Sequence, residues 1–255
     1  MVKTSLIAAA LVLAATQADA AQLKLLVGGA MSEPFHEVGA DFAKQTGHTL
    51  DFTVDTTGAL QGRLRSGEKA DIVLVSGPGM DVLEREKLVM PGTRVDLASA
   101  SIGVAVRAGA PSPDISTPDA FKNAMLKAKS IAYVNPQAGG TSGIYLDGLF
   151  QRMGIADEVR KKVVFGKQGS EVAAAVANGQ AELGMTFTSE MVVNKGVKIA
   201  GLLPPAIQNT TNYAVAIPVG SPNPDAARAF IQAMKTPAAA GSIAKAGLTP
   251  LAAKP

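Results

Sequence analysis

Apolar and polar positions along this chain follow two rhythms. Residues 22–27 (QLKLLV) form a short apolar run closed by Gly28-Gly29, the mark of a strand. Over 33–46, apolar or small residues fall at Phe35, Val38, Ala40, Phe42 and Ala43, a helical period that Gly47 ends. Strand and helix then alternate: 49–54 a strand, 59–66 a short helix, 70–75 (ADIVLV) a buried strand, 81–86 the start of a helix. A second series follows a strand at 101–106 (SIGVAV) and a Pro-rich turn at 110–113. It runs strand 131–134, helix 143–153, strand 163–165, helix 170–178 and strand 183–186. A strand at 213–218 (YAVAIP) and two helices, 224–234 and 238–246, finish the chain.

Two βα series joined by two crossing strands predict an α/β protein of two lobes, each a mainly parallel sheet flanked by helices, the second lobe inserted into the first. The expected division is 21–99 and 214–255 for lobe 1 and 100–213 for lobe 2. Residues 1–20 read as a signal peptide: Lys3, an uncharged apolar stretch over 6–15, then Ala18-Asp19-Ala20. Cleavage after Ala20 and a periplasmic location are the expectation. The apolar stretch is well short of the roughly 20 residues a membrane span needs.

Composition narrows the chemistry. The 255 residues contain no Cys and two His, which excludes thiolate nucleophiles, Cys zinc sites and His-rich metal centres. Basic residues are dispersed and the net charge is +3, so nothing suggests a nucleic-acid surface. No cofactor or metal is expected.

Parallel α/β sheets bind ligands beyond the carboxyl ends of their strands. The six strand-to-helix junctions here are rich in Gly, Ser and Thr: Gly28-Gly29-Ala30-Met31-Ser32, Asp55-Thr56-Thr57-Gly58, Ser76-Gly77, Gly139-Gly140-Thr141-Ser142, Gly169-Ser170 and Phe187-Thr188. At one junction such residues would serve as helix caps alone. Together they predict helix N-termini converging on a small anion, whose charge favours unpaired N–H groups. Thr57 is expected to combine a capping and a ligand-donor role. Arg63, on the helix after Thr57-Gly58, is either a bidentate carboxylate donor or a solvated residue. His36, Glu190 and Tyr145 lie near junctions and are the candidate bases should the cleft be catalytic.

The blocks LLVGGAMSEPF, TTGALQGRLRSGEKADIVLVS, VNPQAGGTSGIYLDGLFQRMGI and AELGMTFTSEMVVNKGVKIAGLLP resemble periplasmic substrate-binding proteins of the molybdate-binding type, in the type II periplasmic-binding superfamily. That resemblance implies a monomer that closes on an anion and docks on an ABC permease in the inner membrane. It also implies oxyanion-binding Ser hydroxyls at the first two junctions and a Tyr near the last. The matching positions here are Ala30 (or Met31-Ser32), Thr57-Gly58 and Phe187, so at least one hydroxyl is missing. The GGTSGIY version is also similar to bacterial aconitate isomerase, an exported enzyme of the same fold that interconverts cis- and trans-aconitate by an allylic proton shift. A di- or tricarboxylate is therefore as well matched as a metal oxyanion.

Overall fold

The computed structural model describes residues 20–251. The expected signal peptide lies outside the described residues, apart from Ala20. Among the described residues, no helix is long and apolar enough to cross a membrane.

The first sheet is built from β1 (Gln22–Gly28), flanked by β2 (Thr49–Asp55) and β3 (Ile72–Ser76), all parallel. Three helices connect or follow these strands: α1 (Ser32–Thr46), α2 (Thr57–Arg65) and α3 (Gly77–Arg85). Strand β4 (Val95–Arg107) is more than twice the length the sequence pattern suggests. Its first half pairs antiparallel with β9 (Thr210–Ala216), which also closes onto β3. Its second half, from Ile102, pairs with β7 (Leu183–Phe187) and β8 (Val197–Leu202). β4 thus runs from one sheet into the other. β9 enters the first sheet already at Thr210, opposite Ser101.

The second sheet continues from β7 to β5 (Ile131–Val134) and β6 (Val163–Gly166), again parallel. Helices α4 (Pro118–Lys127), α5 (Thr141–Arg152), α6 (Ala156–Arg160), α7 (Gly169–Ala177) and α8 (Thr188–Met191) accompany it. The chain returns through α9 (Pro224–Ala233) and α10 (Pro237–Lys245) to β10 (Thr249–Pro250), which pairs with β4.

Strand alternation explains how each sheet buries two faces. On β1, Leu23, Leu25 and Val27 face a core with Phe35, Phe42 and Phe230, while Leu26 faces a separate core with Leu60, Met80 and Leu83. In the second sheet Ile131 and Tyr133 pack with Phe121 and Phe150, and Ala132 and Val134 with Val172 and Val176. With both faces covered, the ends of the strands are where a ligand can reach the backbone.

Candidate anion-binding cleft

Helices start where strands stop, and five of these starts meet. After β1 the chain makes a 3-10 turn at Gly29–Met31. After β2, Thr56 adopts extended backbone and its hydroxyl accepts the Ala59 amide at 3.2 Å, capping α2. Thr57, expected to be the cap, is one residue inside; its hydroxyl instead accepts the Ser76 amide at 3.2 Å, tying α2 to the start of α3. Gly140 precedes α5, Gln168 precedes α7 and Phe187 precedes α8, with no side-chain cap bond at any of the three. Uncapped first-turn N–H groups are the donors an anion can take.

Gly28, Gly29, Asp55, Thr56, Thr57, Gly140, Thr141, Ser142, Gln168, Gly169, Phe187, Glu190 and Tyr213 line one cavity between the two sheets. It measures about 20 Å³, room for about one water molecule. The lobes are drawn together across it. The Gly58 amide donates to the Gly139 carbonyl at 3.1 Å, the Thr56 hydroxyl to the Ala138 carbonyl, and Gln168 Nε2 to the Val54 carbonyl at 3.3 Å. Gly139 holds a left-handed φ of +73°, and a Cβ on it would fall within 2.7 Å of Gly58 Cα. Two glycines are what let these two backbones touch.

Several sequence candidates stand elsewhere. Ala30 and Met31 are buried in the core, Ser32 is half-buried at the start of α1, and Ser170 is exposed. Ser76 and Thr188 are buried, but Ser76 pairs with Thr57 and the Thr188 hydroxyl donates to the Gly247 carbonyl at 3.1 Å. His36 is exposed and stacks on Phe52 with ring centres 4.1 Å apart. Tyr145 donates its hydroxyl to the Ile207 carbonyl at 2.7 Å, and Arg152 sits over its ring. Arg63 pairs with Glu68 at 3.1 Å and faces Asp55 at 3.9 Å, outside the cavity lining. None of these candidate residues is among those lining the cavity. The β3 junction, the remaining one of the six, likewise lies off the cavity.

Glu190 is different. Its carboxylate accepts the Thr186 hydroxyl at 2.5 Å, and Thr186 in turn faces the Ser142 hydroxyl at 3.2 Å. Gly29 and Gly169 border it so closely that a Cβ on either would run into the carboxylate. Burial pushes its pKa up, against the opposing pull of Thr186 and the Phe187 and Gly169 amides. Tyr213 enters from the middle of β9, packs edge-on against Phe187 with ring centres 5.8 Å apart, and is held well above its ordinary pKa by burial and by Glu190. A phenol therefore reaches the cleft from a strand interior, beside the Phe187 that ends β7. No junction pattern could have pointed to Tyr213. Gln168, directly before Gly169 at the α7 start, did carry such a signal.

The model of the bacterial extracellular solute-binding protein family matches residues 23–249. The chain belongs to that family. This solute-binding protein is 39% identical to an aconitate isomerase of Pseudomonas sp. over 96% of both chains. It is 24% identical to the molybdate-binding protein of Escherichia coli over 91% of this chain and 90% of that one. The solved periplasmic molybdate-binding protein of Azotobacter vinelandii superposes with a TM-score of 0.74 at 21% identity, over 89% of this chain and 98% of the other. The solute-binding protein thus has the two-lobed type II periplasmic-binding fold that its sequence resemblance implied.

Proposed function

We propose that this protein binds a small polycarboxylate between its lobes and is exported to the periplasm, where the closed, monomeric form delivers the ligand to an ABC permease. The observation that carries the reading is that residues of five helix or turn starts line one cavity, among them the start of α5, which no side chain caps. Helix N-termini favour negative charge, each by about 0.3–1 kcal/mol at exposed sites and more when shielded from water. The lobes touch across the cavity, so in this reading they part for the ligand to enter and close again around it. Thermal-shift measurement with citrate, both aconitates, molybdate, tungstate and sulfate tests it. A rise in melting temperature with a carboxylate is the expected result; a rise with molybdate and none with any carboxylate would refute it.

One observation favours a second reading, aconitate isomerisation. A carboxyl with a raised pKa stands in the cleft of a chain 39% identical to an aconitate isomerase. In that reading Glu190 takes a proton from the saturated carbon of cis-aconitate, the double bond shifts, and the proton returns at the far end of the allylic unit, leaving the proton count unchanged. Amides at the helix starts would stabilise the charge that develops on the flanking carboxylate. Incubating micromolar protein with cis-aconitate and following trans-aconitate by NMR decides it.

A further inference from the structure

Among the described residues, the ionisable groups lining the cleft are all acids: Asp55, Glu190 and Tyr213, with no Lys, Arg or His. Asp55 is partly offset, accepting the Thr56 amide at 2.8 Å and facing Arg63 at 3.9 Å. Glu190 has neutral donors alone: the Thr186 hydroxyl and the Phe187 and Gly169 amides. From the other elements around it, Gly29 of the first turn, Thr141 and Ser142 of α5 and Gly169 of α7 carry no charge, and β9 contributes the phenol of Tyr213. The α7 start is one of the places an incoming anion would seek, and the Glu190 carboxylate already occupies it.

We propose that Glu190 determines which ligand the cleft accepts, by sharing one proton with it, so that a polycarboxylate enters together with a proton taken from solvent. The inference rests on the reading of the cleft as a polycarboxylate site. Two carboxylates confined to one water-poor space cannot both stay ionised, and the proton they share belongs to the pair. The overall step is polyanion plus one proton plus open protein giving the closed complex; no carbon bond forms or breaks. A carboxylate ligand suits this arrangement because its basicity is close to that of Glu190, which makes the shared hydrogen bond strong. Sulfate, a much weaker base, holds such a proton poorly. Glu190 thereby disfavours sulfate, which a cleft made of amides alone would welcome.

Calorimetry of the full chain with citrate, cis-aconitate and trans-aconitate tests this, in buffers of different ionisation enthalpy, from neutral to mildly alkaline pH. The expected result is uptake of up to about one proton per ligand, with affinity falling as pH rises by at most about tenfold per pH unit. Glu190→Gln keeps the shape and removes the titrating group. It should bind without proton uptake, lose the pH slope, and gain affinity for sulfate relative to wild type. Wild-type binding with no proton uptake across that range overturns the proposal, as does uptake that persists in a folded Glu190→Gln protein. Those outcomes leave the polycarboxylate reading standing. Failure of every carboxylate to bind removes that reading and the proposal with it.

Discussion

Replacing Gly58 by Ala isolates the cost of lobe closure. Gly58 is the second residue of α2 and its φ is not in the left-handed region, so Ala fits the backbone and slightly favours the helix. Across the cleft the situation reverses. A Cβ on Gly58 stands 2.8 Å from Gly139 Cα and 3.4 Å from the Gly139 carbonyl oxygen. Carbon atoms rest about 3.5–4.0 Å apart, so the two backbones must separate by about 1 Å. Backbone cannot swing aside as a flexible side chain can. The separation weakens the Gly58–Gly139 hydrogen bond and the neighbouring bond from Thr56 to Ala138. At about 0.5–1.5 kcal/mol net for each, closure loses about 1–3 kcal/mol. Ligand affinity should then fall by about 5- to 150-fold. Gly62→Ala is the control: the same helix and the same added methyl, with nothing within 4 Å of it. Calorimetry with whichever carboxylate binds the wild type gives the affinity, and small-angle scattering gives the compactness. Equal affinity in Gly58→Ala and Gly62→Ala would refute the role assigned to the Gly58–Gly139 contact.

Other changes separate the cleft from its scaffold. Because burial raises the Glu190 pKa, the folded protein keeps that proton above the range, about 4.3, where the unfolded chain releases it. The associated stability is complete below that range and is lost as pH rises through the folded-state value. Glu190→Gln should therefore melt at a higher temperature than wild type near neutral pH, with a gap that narrows toward acid; a gap independent of pH would contradict this. Arg63→Ala should change carboxylate affinity by less than about twofold, since Arg63 engages Glu68 and faces Asp55 at a partly exposed site where such pairs contribute about 0–1 kcal/mol. A larger loss in calorimetry would return Arg63 to the site. Asp71→Ala should destabilise the fold by about 2–4 kcal/mol in urea titration. Its buried carboxylate accepts the Lys24 amide at 2.9 Å and the Ser221 hydroxyl and Asn223 amide at 2.8 Å, joining the first sheet to the entry of α9.

Junction chemistry was legible because it is local. Gly, Ser and Thr at strand ends announce a turn and a helix start whatever surrounds them, and five of the six marked junctions reach the cavity. Features that depend on distant partners were not legible. Arg63 lies one turn past Thr57-Gly58 and points instead to Glu68, which returns beside it after Gly67. Tyr145, in the first turns of α5, is open to cleft or core from its sequence position alone, and α5 turns it toward the Ile207 carbonyl. The first half of β4 is faintly marked in the sequence because VDLASAS gives a weak alternation: Ala98 and Ala100 are fully buried, yet so small that their hydropathy barely marks a face. Helix α4 has its own start signal in the sequence, Thr117 before Pro118-Asp119, and the Thr117 hydroxyl accepts the Ala120 amide at 3.1 Å.

The two readings of the cleft meet at a single carboxyl. A binding protein and an allylic isomerase both need a polyanion held by neutral donors. They differ in whether the carboxyl at Glu190 ever takes a proton from carbon. Glu190 is fixed by Thr186 from its own lobe and bordered by Gly29 from the other, so its surroundings are complete only when the lobes are shut. Closure therefore brings the proton-holding group, the ligand and the helix starts together in one step. In a binder that geometry limits the ligand to acids able to share a proton; in an enzyme the same geometry aims the group at a C–H bond. The distinction is then one of where the ligand's C–H bond lies relative to Glu190, which is why fold likeness to molybdate-binding proteins cannot decide it and the fate of one proton can.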